Sequence, residues 1–160
     1  MRGTKPNNAL VMTKMEKQMS RNDAINPSHY KDHPSGIECI EITEHLDFCL
    51  GNAWKYLWRA GTKEGVPVEQ DLEKALWYLK REHYYKGVRR YEKNLTFLHD
   101  KYAKIFEYET RTLVRECFKS IIAYRNGCYE YALVPPTILL HGAINPIKLA
   151  LKEGVTFGKL

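Results

Sequence analysis

Apolar residues recur at every third or fourth position through two long stretches of this chain. That spacing demands amphipathic helices packed on a common core. Leu72, Ala75, Leu76 and Leu79 mark the first stretch; Leu98, Tyr102, Ile105, Leu113, Phe118 and Ile121 mark the second. The predicted fold class is all-α: a compact helical domain with long helices and a less regular C-terminal extension. With 160 residues, 44% apolar and 28% charged, the chain can bury a core without covalent or metal staples.

Punctuation residues set the expected boundaries. Residues 1–25 lack a sustained period, and 1–22 hold five bases against one acid, so 1–25 read as a flexible basic tail with at most a helical turn near Val11–Met19. Order begins at Asn26-Pro27-Ser28-His29-Tyr30. Pro34-Ser35-Gly36 signals a turn, and Ser35 is placed to cap a helix over about 36–45. Asp47 is an N-cap for a second helix over about 48–60, which Gly61 ends. A third helix is predicted from about 68 to 94 and a fourth, unbroken, from 97 to 126, stopped by Gly127. Residues 131–134 and 137–140 flank Pro135-Pro136 as short strands or helical turns, and Asn145-Pro146 begins a last helix to about 152. Residues 26–95 therefore form the expected domain and 96–160 its extension.

Cys39, Cys49, Cys117 and Cys128 form no C-x-x-C pair and sit in apolar stretches, as reduced buried thiols do. No apolar run reaches the length of a membrane span, and the N-terminus lacks a signal-peptide core. The expected location is a cytoplasm. The net charge of +6 favours anionic partners.

The block 37–78 carries the chemistry. Glu38, Glu41 and His45, then Asn52, Lys55 and Arg59, then Asp71, Lys74 and Tyr78, each follow i, i+3, i+7 spacing, which places each triad on one helix face. Apolar residues occupy other faces: Ile37 and Ile40; Leu50, Trp54 and Leu57; Leu72, Leu76 and Leu79. The spacing alone fits solvated, ion-paired faces. The functional reading is a polar cleft between helices. In it Lys55 and Arg59 bind phosphate oxygens. Glu38, Glu41 and Asp71 hold a cation such as Mg²⁺, orient the bases or accept a proton. Asn52 and Tyr78 read a base or sugar. No P-loop, G-x-G-x-x-G or H-E-x-x-H occurs. His29 and His33 lie four apart, but Pro34 argues against a helical metal pair, and His29-Tyr30 suits the entrance of the fold or a ligand contact.

Four motifs, N-P-S-H-Y (26–30), I-E-x-I-E (37–41), G-N-x-x-K-Y-x-x-R-A-G-x-K (51–63) and D-L-x-K-A-x-W-Y (71–78), resemble a small phage-encoded family. It is called SaV-like, after a bacteriophage protein involved in sensitivity to abortive infection. The same domain forms the C-terminal part of the P-loop-less nucleotide kinase of podoviruses that carry their own RNA polymerase. The resemblance covers about residues 26–82. It implies that Glu38, Glu41, Asn52, Lys55, Arg59, Asp71 and Lys74 form a site, and it implies nucleotide chemistry or a phage–host interaction in the host cytoplasm. The segment between Glu41 and Gly51 is shorter than the family pattern, and residues 97–160 match nothing in it.

Several functions follow as expectations. The first is a (deoxy)nucleoside monophosphate kinase taking its phosphoryl group from a nucleoside triphosphate. Arg59 and Lys55 supply charge, Glu41 or Asp71 positions the acceptor or a metal, and His29, Tyr30, Asn52, Lys63, Lys74 and Tyr78 bind nucleotide. The second is an Mg²⁺-dependent all-α nucleoside triphosphate pyrophosphatase with Glu38, Glu41 and Asp71 as ligands, although Lys74 stands where a second acid would complete its signature. The third is a non-catalytic effector that binds a host protein or a nucleotide signal through its tyrosine-rich extension. Bases at 86–104 interleave with aromatics, but Glu82, Glu92, Glu107 and Glu109 dilute them, which favours a solvated helix over a nucleic-acid surface. Trp54, Trp58 and Trp77 exceed what small helices with polar faces need, so a homo-oligomer is expected.

Overall fold

In the computed structural model residues 24–85, 96–126 and 136–154 are described. Among them are seven α-helices, one 3₁₀ turn and no strand: α1 (Ser28–Lys31), α2 (Ile40–Thr43), α3 (Phe48–Arg59), α4 (Val68–Tyr85), the turn Thr96–Leu98, α5 (His99–Tyr108), α6 (Thr112–Asn126) and α7 (Pro136–Glu153). The all-α class holds. The tail, the end of the predicted third helix and residues 131–134 lie outside the described residues.

Four helices close on one another: α3 packs on α4, α4 on α7, α7 on α6, and α6 back on α3. Apolar stripes at helical spacing bring this about. Leu50, Trp54, Leu57 and Trp58 of α3 meet Leu72, Leu76 and Leu79 of α4 in one core with Phe118 and Ile121 of α6 and Ile144 and Ile147 of α7. The Trp54 ring stacks on Phe118, centroids 3.9 Å apart and 13° between planes. The segments before and after residue 95 therefore share one core. Two of the three indoles behind the expected self-association are buried in it; Trp77 stays 54% exposed, with the Arg81 guanidinium over its ring. Cys39, Cys49 and Cys117 are buried and form no disulfide among the described residues. No described helix is long and apolar enough to cross a membrane.

Local chemistry explains the boundaries. Asp47 Oδ1 accepts the Cys49 and Leu50 N–H groups, both at 3.1 Å, and starts α3 as predicted. Gly61 turns the chain after it at φ +75°. The predicted first helix shrinks to the single turn of α2, whose N-cap is Cys39 without a side-chain bond. Ser35 Oγ lies upstream of it, accepting Ile37 N–H (3.3 Å) and bonding His33 Nδ1 (2.7 Å). The Glu38–Glu41–His45 triad thus loses its continuous helix, and Ile40 ends 58% exposed. The last helix begins at Pro136 rather than Asn145 and runs through Pro146. Position 142, which faces the proline ring four residues later, is glycine, and a Cβ there would stand 2.5 Å from Ser120 Oγ.

The predicted helix 97–126 breaks at Glu109, whose backbone is extended (φ −76°, ψ 104°). The break serves a buried polar clasp. Glu109 accepts the Arg111 backbone N–H (2.9 Å) and its guanidinium, and lies 3.4 Å from His33 Nε2. Ser35 N–H donates to His33 Nδ1 (3.2 Å), which leaves the ring proton on Nε2, facing Glu109. Arg111 Nη1 donates to the carbonyls of Trp58 (3.1 Å) and Ala60 (2.7 Å) at the end of α3.

Burial pushes the Glu109 carboxyl up, but hydrogen bonds from His33 and Arg111 and the Arg111 charge outweigh it and hold the group at about 2, against 4.5 ordinarily. The unfolded chain therefore takes up this proton first as pH falls. The stabilisation is complete above about pH 4.5 and is lost toward pH 2, a change of about 3 kcal/mol. Urea denaturation across this range should show the loss in the wild type and a shallower fall, from lower stability, in Glu109→Gln.

Candidate functional site

The site is built where α3 ends and α4 begins. The C-terminus of a helix favours a cation and the N-terminus an anion. Arg59 is the last residue of α3 and Asp71 lies in the first turn of α4. Arg59 Nε donates to both Asp71 oxygens (3.1 Å each) and Nη2 to Oδ1 (2.7 Å). The two residues are 8% and 1% exposed. Nη1 of Arg59 donates to the Tyr30 hydroxyl at 3.2 Å. Burial works against the guanidinium charge, but the bonds to Asp71 and Tyr30 more than compensate and raise its pKa. Tyr30 is held in turn: its N–H donates to Pro27 O (3.0 Å), and its carbonyl accepts Cys39 N–H (2.8 Å). α1, α3 and α4 thus meet at one guanidinium.

Around this anchor three cations crowd one aromatic ring. Lys55 Nζ, Arg59 Cζ and Lys74 Nζ lie 4.9, 4.8 and 5.6 Å from the centroid of the Tyr56 ring. Tyr56 stacks on Tyr78 at 5.8 Å, and Tyr78 meets Phe48 and Trp77 edge-on. Cation–π attraction holds the ammonium groups near the ring without neutralising them. Asp71 neutralises Arg59. Among the described residues no carboxylate pairs with Lys55 or Lys74; Lys55 Nζ donates only to Asn52 Oδ1 (3.0 Å). Burial, and then the Arg59 charge, lower the pKa of Lys55.

Lys55 stands where two hollows meet. One, of about 350 Å³, has Asn26, Tyr30, Glu38, Cys39 and Ile40 in its walls; a shallower one of about 210 Å³ runs past Phe48, Gly51 and Asn52. Thr43 and Lys55 border both. Consecutive residues of α1 serve different hollows: Tyr30 lines the first, while His29 lines a separate cleft of about 350 Å³ with Asp32, Trp58, Thr62 and Tyr108. Burial, then the charges of Lys63 and Arg59, lower the pKa of His29, which places all three basic groups in one neighbourhood.

The structure gathers Lys55, Arg59, Lys74, Tyr30, Asp71 and Tyr78 around Tyr56, sets His29 and Lys63 beside them, and puts Glu38 in the same hollow as Lys55. Glu41 goes elsewhere. It pairs with Lys101 of α5 (2.5 Å) and accepts Glu38 N–H (2.9 Å). Among the described residues no three acidic, histidine or cysteine side chains are grouped to hold a metal. Glu38, Glu41 and Asp71 therefore do not form the proposed Mg²⁺ cage: Asp71 is bound to Arg59 and Glu41 to Lys101. Tyr56, the hub, lies within the K-Y-x-x-R motif, where an aromatic bracketed by two cations was the available signal. Glu109 and Arg111 had none, since 76 residues separate Glu109 from His33.

Removing one partner of a buried ion pair leaves a charge without compensation, whereas removing both leaves only a packing change. Asp71→Leu and Arg59→Met are each expected to cost about 3 kcal/mol or more, and the double variant less than either single one. Urea melts of the four proteins check this; additive losses would show that the two groups are not coupled.

Residues 25–80 match the model of DUF3310, a family described as a protein of unknown function. That span contains every member of the Tyr56 cluster and excludes Lys101, Glu109 and Arg111. No curated protein and no solved structure matches the chain.

Proposed function

We propose that the chain binds nucleotides through the cations around Tyr56 and transfers a phosphoryl group from a nucleoside triphosphate to a nucleoside monophosphate. The observation that carries the reading is the pair of ammonium groups, Lys55 and Lys74, held against one aromatic ring without a carboxylate partner, Lys55 also lining a hollow that fits a small ligand. The resemblance of the four motifs to the SaV-like domain of phage nucleotide kinases supports the same chemistry.

In the reaction an acceptor phosphate oxygen bonds to the γ-phosphorus while the bond from that phosphorus to the β,γ-bridging oxygen breaks, which leaves two nucleoside diphosphates. Negative charge spreads over the γ oxygens in the transition state, and fixed cations stabilise it. A monophosphate is already anionic near neutral pH, its second pKa lying near 6. No general base is needed, so the engagement of Glu41 and Asp71 elsewhere takes nothing from the chemistry. Arg59 acts as a positioning residue that fixes Tyr30 and the end of α3. Mg²⁺, where used, arrives on triphosphate oxygens rather than in a protein cage.

Incubation with γ-labelled ATP and each deoxynucleoside monophosphate tests this. Lys55→Met should lower the rate about 100-fold or more while the melting temperature stays near that of the wild type, because Lys55 makes no buried ion pair. Undiminished transfer in Lys55→Met, or label released only as pyrophosphate or inorganic phosphate, would overturn the assignment.

A further inference from the structure

Two clefts of equal size adjoin the cationic cluster, and they share no residue. The first reaches the cluster through Lys55 and through Tyr30, whose hydroxyl accepts from Arg59. The second reaches it through His29, whose ring centroid lies 4.3 Å from that of Tyr30. Each lies within the range of roughly 300–1,000 Å³ usual for small-molecule sites.

The second cleft has the chemistry of a nucleoside seat. Trp58 and His33, ring centroids 4.5 Å apart, form an aromatic floor. Tyr108 stands in its wall, 45% exposed, and supplies an aromatic ring on which a base could stack. The clasp residues His33, Glu109 and Arg111 bond one another and the end of α3, so this wall is rigid before any ligand arrives. Ser28, His29 and Asp32 line the same cleft, and their side chains make no hydrogen bond within the described residues. The Asp32 carboxylate offers two acceptors, which suits the paired hydroxyls of a ribose; a deoxyribose presents only one of them.

We propose that the cleft between α1 and Tyr108 seats a ribonucleotide while the hollow beside Lys55 holds a second nucleotide, so that the chain binds donor and acceptor together. This rests on the nucleotide reading above and adds where each partner sits. In-line transfer requires two ligands that approach one moving group from different sides. Two clefts lined by the adjacent residues His29 and Tyr30 suit that arrangement. It also gives residues beyond position 80 a direct role, since Tyr108 belongs to α5.

Isothermal titration tests the assignment, with the non-hydrolysable ATP analogue AMP-PNP and each deoxynucleoside monophosphate as probes. One AMP-PNP and one monophosphate should bind per chain at the same time. Tyr108→Ala and Asp32→Ala should each weaken AMP-PNP, the former about tenfold or more, and leave the monophosphate unchanged. Ile40→Ala should do the reverse. All three side chains are exposed or nearly half exposed, so the fold survives; thermal melts verify it. Mutual displacement of the two probes at a single site would overturn the two-cleft proposal and leave nucleotide binding standing, as would equal or absent effects of Tyr108→Ala on both probes. If neither probe binds the wild type, the nucleotide reading itself falls.

Discussion

A single buried ion pair organises this protein. Arg59 closes α3 and Asp71 opens α4, so each charge sits at the helix end whose dipole favours it. Their bonding fixes the turn between the two helices and carries Tyr30, and with it α1, onto the same guanidinium. Desolvating two charges is costly, and such a pair adds little stability over an apolar one. What it contributes is position. The pair fixes which residues of α3 and α4 face each other, and so which cations surround Tyr56.

That geometry leaves an electrostatic imbalance. With Arg59 neutralised by Asp71, Lys55 and Lys74 remain near an aromatic ring in a half-buried setting without a carboxylate. The quadrupole of the ring offsets part of their repulsion, but less than a carboxylate would. Glu41, on the neighbouring α2, pairs with Lys101 instead. Positive charge concentrated beside a hollow is a standing preference for an anionic ligand.

The segment beyond the matched family span is more than an appendage. It supplies Phe118 to stack on Trp54, Lys101 to hold Glu41, and the Glu109–Arg111 clasp that binds His33 and caps the carbonyls of α3. The clasp grips α3 one residue before and one residue after Arg59. Elements remote in sequence thus brace the cationic cluster from the side opposite to Asp71 in the chain order, and they shape the cleft that His29 lines.

Residues close in sequence and set by local rules were legible without coordinates. The 3.6-residue spacing of apolar side chains identifies α3 and α4, Asp47 and Gly61 bound α3, and the polar triads put Asn52, Lys55 and Arg59, and Asp71, Lys74 and Tyr78, on shared faces. These follow from hydrogen bonds and side-chain directions within a turn or two of helix. The break at Glu109 and the passage of α7 through Pro146 did not follow, because each depends on a partner far along the chain or on a neighbouring helix. The same divide runs through the site. Charge and residue type follow from the sequence, but whether Asp71 faces solvent, metal or Arg59 is decided by how α3 and α4 pack. A carboxylate takes the strongest donor that folding brings within reach, and only the tertiary structure brings the guanidinium there.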